Sequence, residues 1–185
     1  MHNDLKLENI CIGWTDPSVV YLIDFGLSTT YLEADGSHST KTFINKFSGN
    51  IMFTSLNSCR GNTKSRRDDI QALFNLLVYL LNDNKLPWSD FGEKFKNKNY
   101  QFKDYLVERL KLKYSQEEYK MVPENLKKLF KLIFKMKYEE EPPYAALREQ
   151  FKKEQQREVL ALQQEFPGYE YSVEWLKQES NLDDK

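Results

Sequence analysis

Near the start of the chain, Asp4, Lys6 and Asn9 share one short segment with His2, and Asp24-Phe25-Gly26 closes a β-branched, apolar run soon after. These residue types at this spacing could move a phosphoryl group onto a hydroxyl. That transfer needs a group to orient the acceptor and receive its proton, a cation beside the phosphoryl, and oxygen ligands for magnesium. Asp4 suits the first task, Lys6 the second and Asn9 the third. Asp24 adds a carboxylate, a hard oxygen donor for a metal that bridges phosphates. Gly26 lets the chain turn so that this carboxylate aims inward. Either cluster alone is common, but the two together, with a hairpin between them, are specific.

The elements that must hold these residues follow from pattern. Asn9-Ile10-Cys11-Ile12 reads as a short strand, Asp16-Pro17-Ser18 as a turn, and Val19–Ile23 as a second strand ending at Asp24. Residues 27–66 show no long period and read as a functional loop or disorder. From Asp68 the spacing of Ile70, Leu73, Leu76, Leu77, Leu80 and Leu81 predicts a buried central helix with acidic residues in its first turn. Weaker helical patterns cover 101–112 and 126–134, and the latter starts near Pro123. Pro142-Pro143 breaks the chain before a third helix, which reads on as a charged helix to Glu165 with a thin stripe of Val159, Leu160 and Leu162. The boundaries expected are a domain over 1–155 and a helical and aromatic tail over 156–185.

Composition narrows the classes. The 27 basic and 28 acidic residues leave a net charge of -1, so no global field draws in nucleic acid or anionic lipid. No apolar run approaches the roughly 20 residues that span a bilayer. Cys11 and Cys59 make no disulfide framework or metal knuckle and read as reduced thiols. The expectation is a cytoplasmic or nuclear protein with no membrane and no nucleic acid partner.

The pair of motifs around Asp4 and Asp24 is a protein kinase signature. The stretches MHNDLKLENICIG, VYLIDFGLSTTY, SRRDD and LPW resemble the casein kinase 1 family of serine/threonine kinases. So does Ser55-Leu56-Asn57 after Gly49, where most kinases carry Ala-Pro-Glu. EEEPPYAALREQF resembles that family's closing helix, and GYEYSVEW at 168–175 its tail packing segment. The resemblance implies a mainly α fold, the large C-terminal lobe of a kinase with a small β-hairpin at the catalytic loop and no N-terminal lobe. It implies transfer of the γ-phosphoryl group of ATP, with Mg2+, to serine or threonine of protein substrates. Asp4 would be the base, Lys6 would steady the phosphate, and Asn9 and Asp24 would hold nucleotide and metal. His2 and Gly26 would give structural support. Asp69 would begin the central helix and accept backbone N–H groups of the catalytic loop, with Asp68 the competing choice.

Several positions depart from the family. Asn3 stands where it carries Arg, so a charged pair with a phosphorylated loop is not expected there. Asn50 replaces a Thr, Met52 an Arg of an anion pocket, and Phe74 a glycine of the central helix. Arg60, Lys64, Arg66 and Arg67 form a basic cluster. Arg60 and Lys64 are candidate contacts for a substrate anion, and the alternative is a solvated loop with Arg66 or Arg67 in structural pairs. No Gly-rich loop, strand lysine paired with a helix glutamate, or adenine hinge lies in the sequence. The chain by itself is therefore expected to be an inactive fragment. It is expected to expose apolar surface and to be a monomer, with that lobe face open to association. The alternative is a pseudokinase-like interaction module without catalysis.

Overall fold

Val20, Tyr21 and Leu22 follow a turn that Pro17 and Asp16 enforce, and they form a strand, β2 (Val20–Leu22), antiparallel to β1 (Ile10–Ile12). The Gly13 N–H donates to the Val19 carbonyl at 2.8 Å, and the Ile23 N–H to the Asn9 carbonyl at 2.9 Å. At the turn, Ser18 donates its N–H and hydroxyl to the Asp16 carboxylate, which holds that carboxyl below its ordinary value. The computed structural model describes residues 1–44, 47–99, 101–114 and 116–165. Among them β1–β2 is the only sheet, and the rest of the fold is mainly helical, as in the large lobe of a kinase.

The helices are α1 (Leu56–Cys59), α2 (Arg66–Leu81), α3 (Phe91–Phe95), α4 (Phe102–Tyr114), α5 (Glu117–Lys120), α6 (Lys127–Lys135) and α7 (Tyr144–Glu165). The 27–66 stretch is mostly irregular, as expected, apart from two isolated bridges and α1. The described residues form two compact units: residues 1–11 with 21–142, and residues 12–20 with 143–165. α7 runs unbroken across the boundary expected at 155–156.

In the first unit α2 is the organising element. It starts at Arg66, earlier than the apolar period suggests, because Ser65 and Asp68 form a capping box. The Asp68 carboxylate accepts the Ser65 N–H at 2.8 Å and the Ser55 hydroxyl at 2.5 Å, which joins the helix start to α1. Ser65 is fully buried, so Ser65→Ala is expected to cost about 1 kcal/mol of stability, read by urea unfolding. A cost near zero would deny the cap its role. α2 packs on α6, and the Phe74 side chain, 2% exposed, lies 5.9 Å from Phe130 and 6.0 Å from Phe134. The room for a phenyl ring at 74 thus comes from an aromatic cluster. Leu73, Leu80 and Leu81 stay exposed, so α2 is buried on one side rather than all round. Gln71 and Arg67 donate to the Ile133 and Met136 carbonyls, at the C-terminal end of α6.

α4 holds the loop that follows Gly49. The Tyr105 hydroxyl donates to the Ile51 carbonyl at 2.7 Å, and the Trp88 indole N–H to the Met52 carbonyl at 2.7 Å. Arg109, 1% exposed, stacks its guanidinium 3.4 Å above the Trp88 ring.

In the second unit, Gln150 and Arg157 donate to the Glu154 carboxylate along α7. Leu160 is exposed, while the side chains of Val159 and Leu162 and all of 168–175 lie outside the described residues. Among the described residues no helix is long and apolar enough to cross a membrane.

Candidate active site

The pairing of Ile23 with Asn9 sets the geometry, because it brings Asp24, two residues past the end of β2, toward the segment that holds Asp4 and Lys6. Asp4 and Asn9 are both buried. The Asn9 amide Nδ2 donates to the Asp4 carbonyl at 2.9 Å and to its carboxylate Oδ2 at 3.2 Å, which leaves the Asn9 oxygen outside these bonds. Lys6 places its ammonium 2.8 Å from the same Oδ2, and this hydrogen bond holds it above the ordinary lysine value.

Asp24 stands in the left-handed region, at φ 62° and ψ 73°. Its Oδ1 accepts the Gly26 N–H at 3.2 Å, and Oδ2 takes no part in that bond. The sharp turn expected at Gly26 is therefore made by Asp24 itself, a residue type that tolerates this conformation. Gly26 helps differently, since a Cβ there would sit 3.1 Å from Asp24 Oδ1.

His2 is buried, with its ring 5.1 Å from Phe25 in an edge contact. Its Nε2 faces the Ile23 carbonyl at 2.9 Å, so Nε2 carries the proton and Nδ1 accepts the Asp4 N–H at 3.3 Å. On the other side Asp69 takes the His2 N–H at 2.6 Å and the Asn3 N–H at 2.9 Å, one on each carboxylate oxygen. Asp68 is engaged with Ser55 and Ser65 instead.

Three features were not legible from residue types. Asn3, with φ 69°, donates its amide to the Leu27 carbonyl at 2.8 Å and to the Thr29 hydroxyl at 2.9 Å. It joins the Asp4 segment to the chain after Gly26 without a charge. The signal was available in part, because Asn is among the few residues that enter the left-handed region readily. Gly49, at φ 91°, packs directly on the Asn3 carbonyl. The Asn50 side-chain oxygen accepts the Met52 and Phe53 N–H groups.

The basic cluster is dispersed. Lys64 donates to the Asn3 and Ser48 carbonyls, both at 2.8 Å. Arg66 donates to the Glu139 carbonyl and lies 4.5 Å over the Tyr31 ring, and buried Arg67 donates to Met136. Arg60 alone of the four is exposed. Tyr21, Ile23, Phe25 and Leu27, on the segment that carries Asp24, are exposed too.

Sequence comparison agrees with the chemistry of this arrangement. A probable casein kinase I homolog of Encephalitozoon cuniculi is 35% identical over 147 residues, 80% of this chain and 45% of the relative. A probable serine/threonine-protein kinase of Fowlpox virus is 33% identical over 153 residues, 81% of this chain and 48% of the relative. A casein kinase 1-like protein of Oryza sativa is 32% identical over 154 residues, 80% of this chain and 20% of the relative. The chain is a homologue of serine/threonine kinases. It spans about half the length, or less, of these relatives. No family model matches it.

Among the described residues no three His, Cys, Asp or Glu side chains gather as a metal cage. The Asn9 amide oxygen and the second Asp24 carboxylate oxygen lie outside the bonds described above, and both are hard oxygen atoms of the kind suited to magnesium but too few to hold it alone.

Proposed function

We propose that this chain carries the acceptor and metal half of a serine/threonine protein kinase of the casein kinase 1 type. The observation that supports this reading most is the convergence of Asp4, Lys6 and Asn9 in one bonded cluster beside Asp24. Asp4 orients the acceptor hydroxyl of a protein substrate and receives its proton. Lys6, held on Asp4, presents positive charge to the transferring phosphoryl. Asn9 and Asp24 would hold Mg2+, which would supply charge neutralisation at the transferring phosphate. Asp69 and His2 fix the backbone on which Asp4 sits.

The nucleotide is held by a glycine-rich loop and a strand lysine in such enzymes, and the 185 residues contain no such loop. A second reading, an interaction module without turnover, draws on the exposed Phe25 and Leu27 and on the neutral residues Asn3, Asn50 and Met52.

A chimera separates the two readings. The matched part of the Encephalitozoon relative is replaced by this chain, and phosphate transfer from ATP to a mixed protein acceptor is followed with phosphoamino acid analysis. Phosphoserine and phosphothreonine, formed only with Mg2+, are the expected products. A folded chimera that binds ATP and transfers nothing would favour the interaction module.

A further inference from the structure

We propose that Lys64 is a positioning residue, whose ammonium grips the peptide bond leading into Asp4 and ties it to the loop at Ser48. The inference rests on the kinase reading for its consequence, but the grip itself is a property of the fold. Lys64 precedes the cap of α2, where a solvated side chain, or one turned to a substrate anion, would be unremarkable in the sequence. Its Nζ instead donates to the Asn3 carbonyl and to the Ser48 carbonyl, both at 2.8 Å. The Asn3 carbonyl belongs to the peptide unit whose N–H is that of Asp4.

The opposite charge holds the other side of the same residue, since Asp69 accepts the Asn3 N–H at 2.9 Å. A carboxylate on the N–H and an ammonium on the carbonyl fix Asn3 more firmly than neutral partners would, because charge-assisted bonds are the stronger kind. Gly49 completes the enclosure: a Cβ there would lie 3.1 Å from Lys64 Nζ as well as against the Asn3 carbonyl. Three separate segments therefore meet on one carbonyl oxygen next to Asp4.

Burial pushes the Lys64 ammonium below its ordinary value, against the opposing pull of Asp69 and Asp68 on α2, Asp4 on its own segment and Cys59 on α1. The sign follows directly. The unfolded chain holds this proton more tightly than the fold, so between the lowered value and the ordinary lysine value stability rises with pH. A neutral amine still has two N–H groups for the two carbonyls, so the contact survives deprotonation.

The test is amide hydrogen exchange on this chain, with no turnover required, so a failed transfer assay and a failed grip are told apart. In Lys64→Met, exchange of the His2, Asn3, Ser48, Gly49 and Asn50 amides is expected to rise about tenfold, while the amides of α4 and α6 keep their rates. Lys64→Arg, which can reach both carbonyls with its own N–H groups, is expected to restore most of the protection. Unchanged exchange in Lys64→Met, or an Arg variant as fast as Met, overturns the proposal. Should Lys64→Met fail to fold, the same exchange measurement on Lys64→Gln and Lys64→Arg decides: protection kept in the Arg variant and lost in the Gln variant is expected, and equal exchange in both overturns the grip.

Discussion

Removing the Asp69 carboxylate is expected to cost roughly 3 kcal/mol of folding stability. It accepts two backbone N–H groups, from His2 and Asn3, through its two oxygens. Hydrogen bonds to a charged group contribute roughly 1.5–3 kcal/mol each, and partial exposure of the helix start places the sum at the lower end. The informative variant is Asp69→Asn. An amide keeps the size and one acceptor oxygen but turns an NH2 toward a backbone N–H, so one donor is left facing another. Asn is therefore expected to be nearly as costly as Ala. Urea unfolding of both variants reads this directly. Loss of less than about 1 kcal/mol in both would show that the segment bearing Asp4 is held by other means.

Gly49→Ala is expected to be comparably damaging, about 3 kcal/mol, for a different reason. The left-handed backbone at φ 91° costs an L side chain about 1–2 kcal/mol by itself. The added methyl would also fall under 3.0 Å from the Asn3 carbonyl oxygen, so that carbonyl or the loop must move. Gly36 separates the two effects, since it has φ 81° with nothing near the site of its missing Cβ. Gly36→Ala should show the backbone cost alone, about 1 kcal/mol. Equal losses at the two positions would contradict the close approach at Gly49. Increased hydrogen exchange at Asn3 is expected for Gly49→Ala only.

These two positions mark where the sequence was and was not readable. The hairpin, α2, α4, α6 and α7 were legible because each carries a period or a turn signal long enough to stand out. α1, α3 and α5 are five residues or fewer, too short for any period, and are set by packing. α2 itself starts at Arg66, and the S-x-x-D spacing from Ser65 to Asp68 was a signal the apolar pattern concealed. That Asp4, Lys6 and Asn9 bond to one another was within reach of the sequence because they are local in it. What surrounds them was not, because it is made of backbone. Nothing in the letter K reveals that Lys64 points at two carbonyls, and nothing in N that Asn3 bonds to Leu27 and Thr29. Such contacts arise between distant segments once the fold is made, so residue type alone does not announce them. Exposed apolar surface was expected in general terms, where the parts absent from the sequence would dock, but Phe25 and Leu27 were not singled out for it.

One comparison bears most directly on the central claim: the rate of phosphate transfer from ATP by the folded chimera with Asp4 and with Asp4→Asn. Asparagine keeps the shape and can still accept one hydrogen bond, but it cannot take the acceptor's proton. General base catalysis of this kind contributes typically about 10²–10⁴-fold. A loss of at least roughly 10²-fold in kcat, with nucleotide binding retained, is expected. A variant that transfers phosphate within a few-fold of the unaltered chimera would contradict the role of Asp4 as the base.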